Sequence, residues 1–301
     1  MGVINITPDS FSDAGKMISS EKVLIGKIKA WKNLGVNHFD IGAQSTAPTS
    51  TPCSASEEWS RLEKYFLPHI DLFDPKDTLS FDTFRCSTMR KVLQFLEENE
   101  KKQVNLIFND VSGKLDTDVL DLLSDFPSLK YVYSHNLCSS RELTHDHMSF
   151  ARDYSQEGMI LTDVIEYFQS AQNLLITEGL INRVFFDPCF GFSKNYLDNI
   201  FLLKNIEQIF RSFPKQAWLV GISKKSFLQQ LQPDILDKAS KQDSSEYLHS
   251  ILLAQILLKW QAHVKLMPFY NQSSTPKLLL RVHEPLVAHN STLFVSQFAI
   301  K

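Results

Sequence analysis

Apolar and polar positions along the chain follow two alternating rhythms. Short runs dominated by β-branched and aromatic residues recur at Gly2–Ile6, His38–Ile41, Leu79–Asp82, Val104–Phe108, Lys130–Ser134, Arg183–Asp187, Ala217–Gly221 and Lys277–Val282. Runs of this length, apolar on both faces and ending in polar residues, predict buried strands of a parallel sheet. The stretches between them carry apolar positions three and four apart. They predict amphipathic helices over Glu21–Leu34, Glu57–Phe73, Arg85–Glu98, Thr117–Phe126, Thr162–Glu178, Leu197–Phe213, Ser245–Gln261 and Leu286–Gln297. Eight strand–helix alternations predict an α/β fold of the (β/α)8 TIM barrel class, read as a single domain over residues 1–301.

Two stretches fit the alternation poorly. Leu137–Met159 is polar and rich in His, Arg and Asp, and His263–Pro276 carries Asn271-Gln-Ser-Ser-Thr-Pro276. Both read as insertions in the connections between elements, the first of them on the side of a barrel that bears active sites. The chain also begins directly on its first strand, which is compatible with a missing start or an upstream domain.

Composition narrows the function. A formal charge of −3 and a pI near 6.3, with Lys and Arg scattered, give no basic footprint for a nucleic-acid backbone. The most apolar stretch, Ile251–Trp260, contains Gln255 and Lys259 and is far shorter than the ~20 residues of a membrane span. Met1-Gly2 does not read as a myristoylation site, because Ile6 stands where Ser or Thr is needed. Four cysteines, at positions 53, 86, 138 and 189, form no Cys-x-x-Cys, so reduced thiols and a cytoplasmic location are expected. With ten glycines and no Gly-x-Gly-x-x-Gly or P-loop, phosphate must be held by side chains and isolated amides. His145-Asp-His147 lacks further ligands and reads as part of a polar insertion rather than a metal site. No motif for a covalent hydrolase occurs.

Seven segments concentrate the remaining chemistry. They are Met1-Gly-Val-Ile-Asn-Ile-Thr-Pro-Asp-Ser-Phe-Ser-Asp13, Asp40-Ile-Gly-Ala-Gln-Ser-Thr-Ala-Pro48, Ser80-Phe-Asp-Thr83, Phe108-Asn-Asp-Val-Ser-Gly113, Phe186-Asp-Pro-Cys-Phe-Gly-Phe-Ser-Lys-Asn195, Leu219-Val-Gly-Ile-Ser-Lys-Lys-Ser-Phe-Leu228 and Arg281-Val-His-Glu284. Any one strand-terminal Asp among them is most simply the N-cap of the following helix. As an ordered set they resemble the pterin-binding, dihydropteroate synthase family over roughly residues 1–290.

The resemblance implies a transferase of folate biosynthesis that condenses 6-hydroxymethyl-7,8-dihydropterin diphosphate with 4-aminobenzoate. Asp82, Asn109, Asp187 and Lys225 would hold the pterin, whose edge presents ring N–H and amino donors beside a carbonyl acceptor. Asn5, Arg281 and His283 would grip the pyrophosphate, with magnesium on the Asn5 side; on a strand Arg281 and His283 point to the same face. Thr46, Pro48, Phe192, Lys225 and Ser226 would meet the aminobenzoate. Lys225, Asp82, Asn5 and His283 would carry the catalysis. The expected partners are the two small-molecule substrates, with no nucleic acid and no membrane, and a possible homodimer. A non-catalytic pterin-binding relative, or half of a bifunctional folate enzyme, is the first alternative; a methyltetrahydrofolate methyltransferase is the second.

Several positions depart from the family pattern. Glu-Ser-Thr-Arg-Pro reads Gln44-Ser-Thr-Ala-Pro48, which removes a loop arginine at Ala47. Ser-Arg-Lys-Ser reads Ser223-Lys-Lys-Ser226, Asp-Pro-Gly reads Asp187-Pro-Cys189, a further glycine is Ser193, and Asp after Arg-Val-His is Glu284. Where glycine is replaced, any positive φ would be strained.

Overall fold

A computed structural model of the chain describes residues 1–7, 17–45, 52–100, 104–154, 156, 158–230, 238–265 and 276–283. The strands are β1 (Gly2–Asn5), β2 (His38–Gly42), β3 (Thr78–Asp82), β4 (Asn105–Asp110), β5 (Lys130–Ser134), β6 (Val184–Asp187), β7 (Ala217–Gly221) and β8 (Leu278–Arg281). They follow one another in chain order in a parallel sheet. The helices are α1 (Met17–Asn33), α2 (Ala55–Tyr65), α3 (Cys86–Glu98), α4 (Thr117–Asp125), α5 (Met159–Thr177), α6 (Tyr196–Ser212), α7 (Ser226–Gln229) and α8 (Lys238–Lys265). This is the (β/α)8 TIM barrel class that the two rhythms predict.

Local chemistry explains several boundaries. Ser54 accepts from the Glu57 amide while the Glu57 carboxylate accepts from the Ser54 amide, a capping box that starts α2. Asn195 and Asp198 start α6 in the same way. The single helix expected over Glu57–Phe73 is instead α2 followed by the 3-10 helix Leu67–Leu72. Pro68 is the cause, since a proline disfavours α backbone at the residue before it and offers no N–H to the α ladder.

The first polar stretch contains two 3-10 turns over Arg141–Phe150 that meet at a kink at Asp146, and His147 is buried there. The second does not begin at His263: α8 runs through Lys265, with His263 and Val264 buried on it. The His263 ring lies 5.4 Å from that of Trp260, continuing the three-and-four spacing by one more turn. The remainder of that stretch, and the helix expected over Leu286–Gln297, lie outside the described residues.

Contacts divide the chain into two compact units, Met1–Ser134 with Cys138–His147, and His135–Leu137 with Met148–Lys301. The first is packed around Phe39, Phe66, Phe81 and Phe108, all at most 1% exposed. The second centres on Phe168, Phe186, Phe213 and Trp218, where Phe168 and Phe186 stack at 4.5 Å and Trp218 meets both edge-on.

Candidate active site

In the first unit four neighbouring strands bring their last residues, or in β4 the last but one, into one row. Asn5 pairs in register with Gly42, Gly42 with Asp82, and Asp82 with Asn109. Residues in register on parallel strands share a face of the sheet. The glycine matters because a Cβ on it would stand 3.4 Å from Asn5 Oδ1 and 3.7 Å from Asp82 Oδ2. Two side-chain oxygens thus flank a position that has no side chain.

Asn109 is 1% exposed, and its Nδ2 donates to Asp40 Oδ1 at 3.1 Å. Asp40 is fully buried and also accepts from Ser80 Oγ at 2.6 Å. A carboxylate only accepts, so Asp40 settles which end of the Asn109 amide faces it. Asn109 Oδ1 is left buried with no hydrogen-bond partner. An orphaned buried acceptor costs ~1–3 kcal/mol, a cost a ligand donor would offset. Asp40 was absent from the residues predicted for the site. The available signal was its polar character in an otherwise apolar strand, two residues from Gly42 on the same face.

The residue after Asn109 is held from the first polar stretch. Arg141 Nη1 donates to Asp110 Oδ2 at 2.5 Å, to Ser112 Oγ at 3.0 Å and to Phe84 O at 3.0 Å, and its Nε reaches Asp116 Oδ2 at 2.7 Å. Tyr131 Oη adds a bond to Asp110 Oδ2 at 3.0 Å. Burial lifts the Asp110 carboxyl above its ordinary value, while Arg141 and Ser112 pull it down. The same stretch carries His145-Asp-His147, and no metal-ligating cluster is found there or elsewhere among the described residues.

In the second unit Asp187 ends β6. Its Oδ1 accepts from the Cys189 amide at 2.7 Å. Burial pushes its carboxyl up to about 6, against the pull of that amide, Lys225, Arg281 and Lys194. The loop beyond it turns through left-handed backbone at Cys189 (φ 54°) and Ser193 (φ 50°), the two positions where the sequence departs from glycine. Lys224, also a departure, has φ 59°. Gly191 has kept its freedom (φ 82°), and a Cβ there would come within 3.2 Å of Lys225 Cδ.

Lys225 Nζ lies 4.5 Å from the Phe192 ring centroid, a cation–π contact. Ser226 opens α7 and is exposed. Arg281, ending β8, pairs in register with Gly221, whose missing side chain makes room for the arginine stem at 3.5 Å. His283 Nδ1 and its amide both lie 3.3 Å from Ser223 Oγ. Lys194, fully buried, donates to the carbonyls of His135, Phe192 and Cys189 at 2.9, 2.9 and 3.2 Å and so pins the loop from beneath. Burial brings its ammonium down to about 8. Thr46, Ala47, Pro48 and Glu284 lie outside the described residues.

The first unit, taken by itself, presents side-chain oxygens near its strand ends, and the second presents a carboxylate, an ammonium, a guanidinium and an imidazole at or beyond its strand ends. The model of the pterin binding enzyme family matches residues 1–256. A mitochondrial folate synthesis bifunctional protein from Pisum sativum is 29% identical over 79% of this chain, which spans only 45% of that protein. A dihydropteroate synthase from Streptococcus pyogenes is 29% identical over 77% of each chain. Among solved structures, dihydropteroate synthase from Anaplasma phagocytophilum with bound 6-hydroxymethylpterin-monophosphate superposes with a TM-score of 0.71 at 24% identity, covering 99% of this chain and 98% of that one. Dihydropteroate synthase from Xanthomonas albilineans with 4-aminobenzoic acid gives 0.71 at 23% identity, covering 100% and 93%. At these identities the structural likeness shows the fold, whereas the family match spans most of the sequence. The chain belongs to the pterin binding enzyme family.

Proposed function

We propose that this chain is a dihydropteroate synthase. It joins 4-aminobenzoate to 6-hydroxymethyl-7,8-dihydropterin diphosphate and releases pyrophosphate and 7,8-dihydropteroate. The observation that carries the reading is the buried, partnerless Asn109 Oδ1, whose strand neighbour in register is Asp82. A polar atom placed so, in a member of this family, is explained by a pterin N–H donor. Asp187 would accept from two further pterin donors, and Lys225 would donate to the carbonyl and ring nitrogen.

Arg281 and His283 supply positive charge and N–H donors for the departing pyrophosphate. The C–O bond between the pterin methylene and the diphosphate breaks with its electron pair on oxygen. The aromatic amine then forms the C–N bond and gives up a proton. Stabilising the leaving group and placing the amine carry the rate, so no covalent nucleophile is needed. Phe192, Lys225, Ser226, Thr46 and Pro48 are the proposed aminobenzoate contacts.

The side-chain oxygens flanking Gly42 are of the kind magnesium takes, a hard cation that binds few protein oxygens and completes its shell with phosphate and water. Asn5 would hold it, and the ion would supply charge neutralisation at the diphosphate. We also propose a cytoplasmic location and a possible homodimer. The four cysteines are free, and no described helix is long and apolar enough to cross a membrane.

Calorimetric titration tests the pterin half directly. With 6-hydroxymethyl-7,8-dihydropterin, which carries no titrating phosphate, binding should be about tenfold weaker at pH 5 than above pH 7. One unit below a carboxyl value of about 6, only about a tenth of Asp187 is ionised to accept both donors. With the diphosphate, magnesium and aminobenzoate together, the binding heat should be followed by sustained heat of turnover. Absence of pterin binding at every pH would contradict the reading.

A further inference from the structure

One departure from the family pattern has no part in the groups assigned above. Ser193 stands where the family has glycine, is fully buried, and turns through left-handed backbone at φ 50°. A residue with a Cβ is disfavoured there, and such backbone persists only where its surroundings hold it. Within the second unit the hydroxyl supplies that hold. Ser193 Oγ donates to Asn136 Oδ1 at 2.8 Å and accepts from the Leu137 amide at 3.2 Å. A glycine could make neither bond. Asn136 is 1% exposed, so the tie lies in the interior, and it joins the loop after β6 to the segment after β5, 57 residues earlier in the chain.

The tie falls beside Phe192, the proposed aminobenzoate contact on this loop. The Phe192 amide donates to Cys189 O at 3.2 Å and its carbonyl accepts from Lys194 Nζ at 2.9 Å, so the backbone is held on either side of the ring. The ring in turn meets the Lys225 ammonium at 4.5 Å. Asp187 is anchored separately. Phe186 before it pairs in register with Trp218 of β7, and the Asp187 carbonyl accepts from the His135 amide at 2.9 Å. Lys225 also keeps its own place, through its amide bond to Ile222 O at 3.3 Å. Release of Ser193 would therefore loosen the Phe192 end of the loop and leave the strand-end carboxylate where it is.

We propose that Ser193 is a positioning residue: its hydroxyl fixes Phe192 and thereby sets the concentration of aminobenzoate the protein requires, while contributing little to pterin binding. The aminobenzoate part rests on the synthase reading; the tie to Asn136 and Leu137 does not.

The test compares wild type with Ser193→Ala and Ser193→Gly. The alanine keeps a Cβ at φ 50° and removes both hydrogen bonds; the glycine removes both and relieves the backbone, which guards against simple misfolding. Hydrogen exchange of peptides covering Leu137 and residues 188–195 should quicken at least about fivefold in both variants. The KM for aminobenzoate should rise about tenfold in both, while calorimetric pterin affinity stays within about threefold of wild type. Unchanged exchange in both variants overturns the tie. Quickened exchange with an unchanged KM overturns the positioning role. A wild-type KM in Ser193→Gly beside a raised one in Ser193→Ala assigns the effect to backbone strain and overturns the role of the hydroxyl. Equal losses of pterin affinity and aminobenzoate use overturn positioning in favour of general support of the fold. If wild type makes no dihydropteroate, the synthase reading and the aminobenzoate part fall together, and the exchange measurement alone upholds or overturns the tie.

Discussion

Asp187→Asn should lower pterin affinity by ~2–4 kcal/mol, roughly thirtyfold to a thousandfold, while leaving the fold intact. The carboxylate spends one oxygen on the Cys189 amide, and among the described residues no hydrogen bond is made to the other. An asparagine oxygen can still accept from Cys189, but the amide nitrogen would meet the pterin donors as a donor itself. Stability should move the opposite way. A carboxyl raised to about 6 by burial favours the folded state only while protonated, and that contribution is lost as pH rises through 6. At neutral pH the neutral amide should therefore be as stable as the carboxylate or more so. Pterin affinity within twofold of wild type, measured calorimetrically, would remove Asp187 from the site.

The largest expected loss of stability is at Arg141. Replacing it with Ala leaves Asp110, fully buried, without its counter-ion, and removal of one partner of a buried pair costs ~3–5 kcal/mol. In a chain of this length that corresponds to a melting temperature lower by roughly 5–8 °C. The pH dependence identifies the cause. Without Arg141 the Asp110 carboxyl rises further above its unfolded value, so the folded state binds a proton that the unfolded chain has released. Stability then falls as pH rises. The deficit should be smallest near pH 4 and grow toward neutrality. A deficit independent of pH in thermal melts would mean that Asp110 is not the group left unpaired.

The strands were legible because all but the half-buried β8 are largely buried apolar runs, and their bounds differ from expectation by at most about two residues. Helices were less so where a local breaker competes with periodicity: Pro68 splits one, and α8 continues past the last position counted. Asn5, Asp82, Asn109, Asp187, Arg281 and His283 were legible as strand-end polar residues, and the structure places each within two residues of a strand end. The replaced glycines at Cys189 and Ser193 marked where any positive φ would be strained, and the structure shows positive φ at both.

The supports of the site were not legible. Asp40 beneath Asn109, Arg141 on Asp110 and Asn136 on Ser193 join residues 69, 31 and 57 positions apart. Such pairings are set by how strands and connections stack, and no local pattern encodes them. Lys194 lay inside a quoted motif, but only the three carbonyls around its ammonium show what it does.

The most direct test of the synthase reading is formation of 7,8-dihydropteroate. The protein would be incubated with saturating 6-hydroxymethyl-7,8-dihydropterin diphosphate, 4-aminobenzoate and magnesium, with pyrophosphate and product followed together. The account predicts the two in equal amounts, over many turnovers, and their disappearance in Asp187→Asn. Tight pterin binding with neither product formed would contradict it, and would make this chain a binding relative that has lost the reaction.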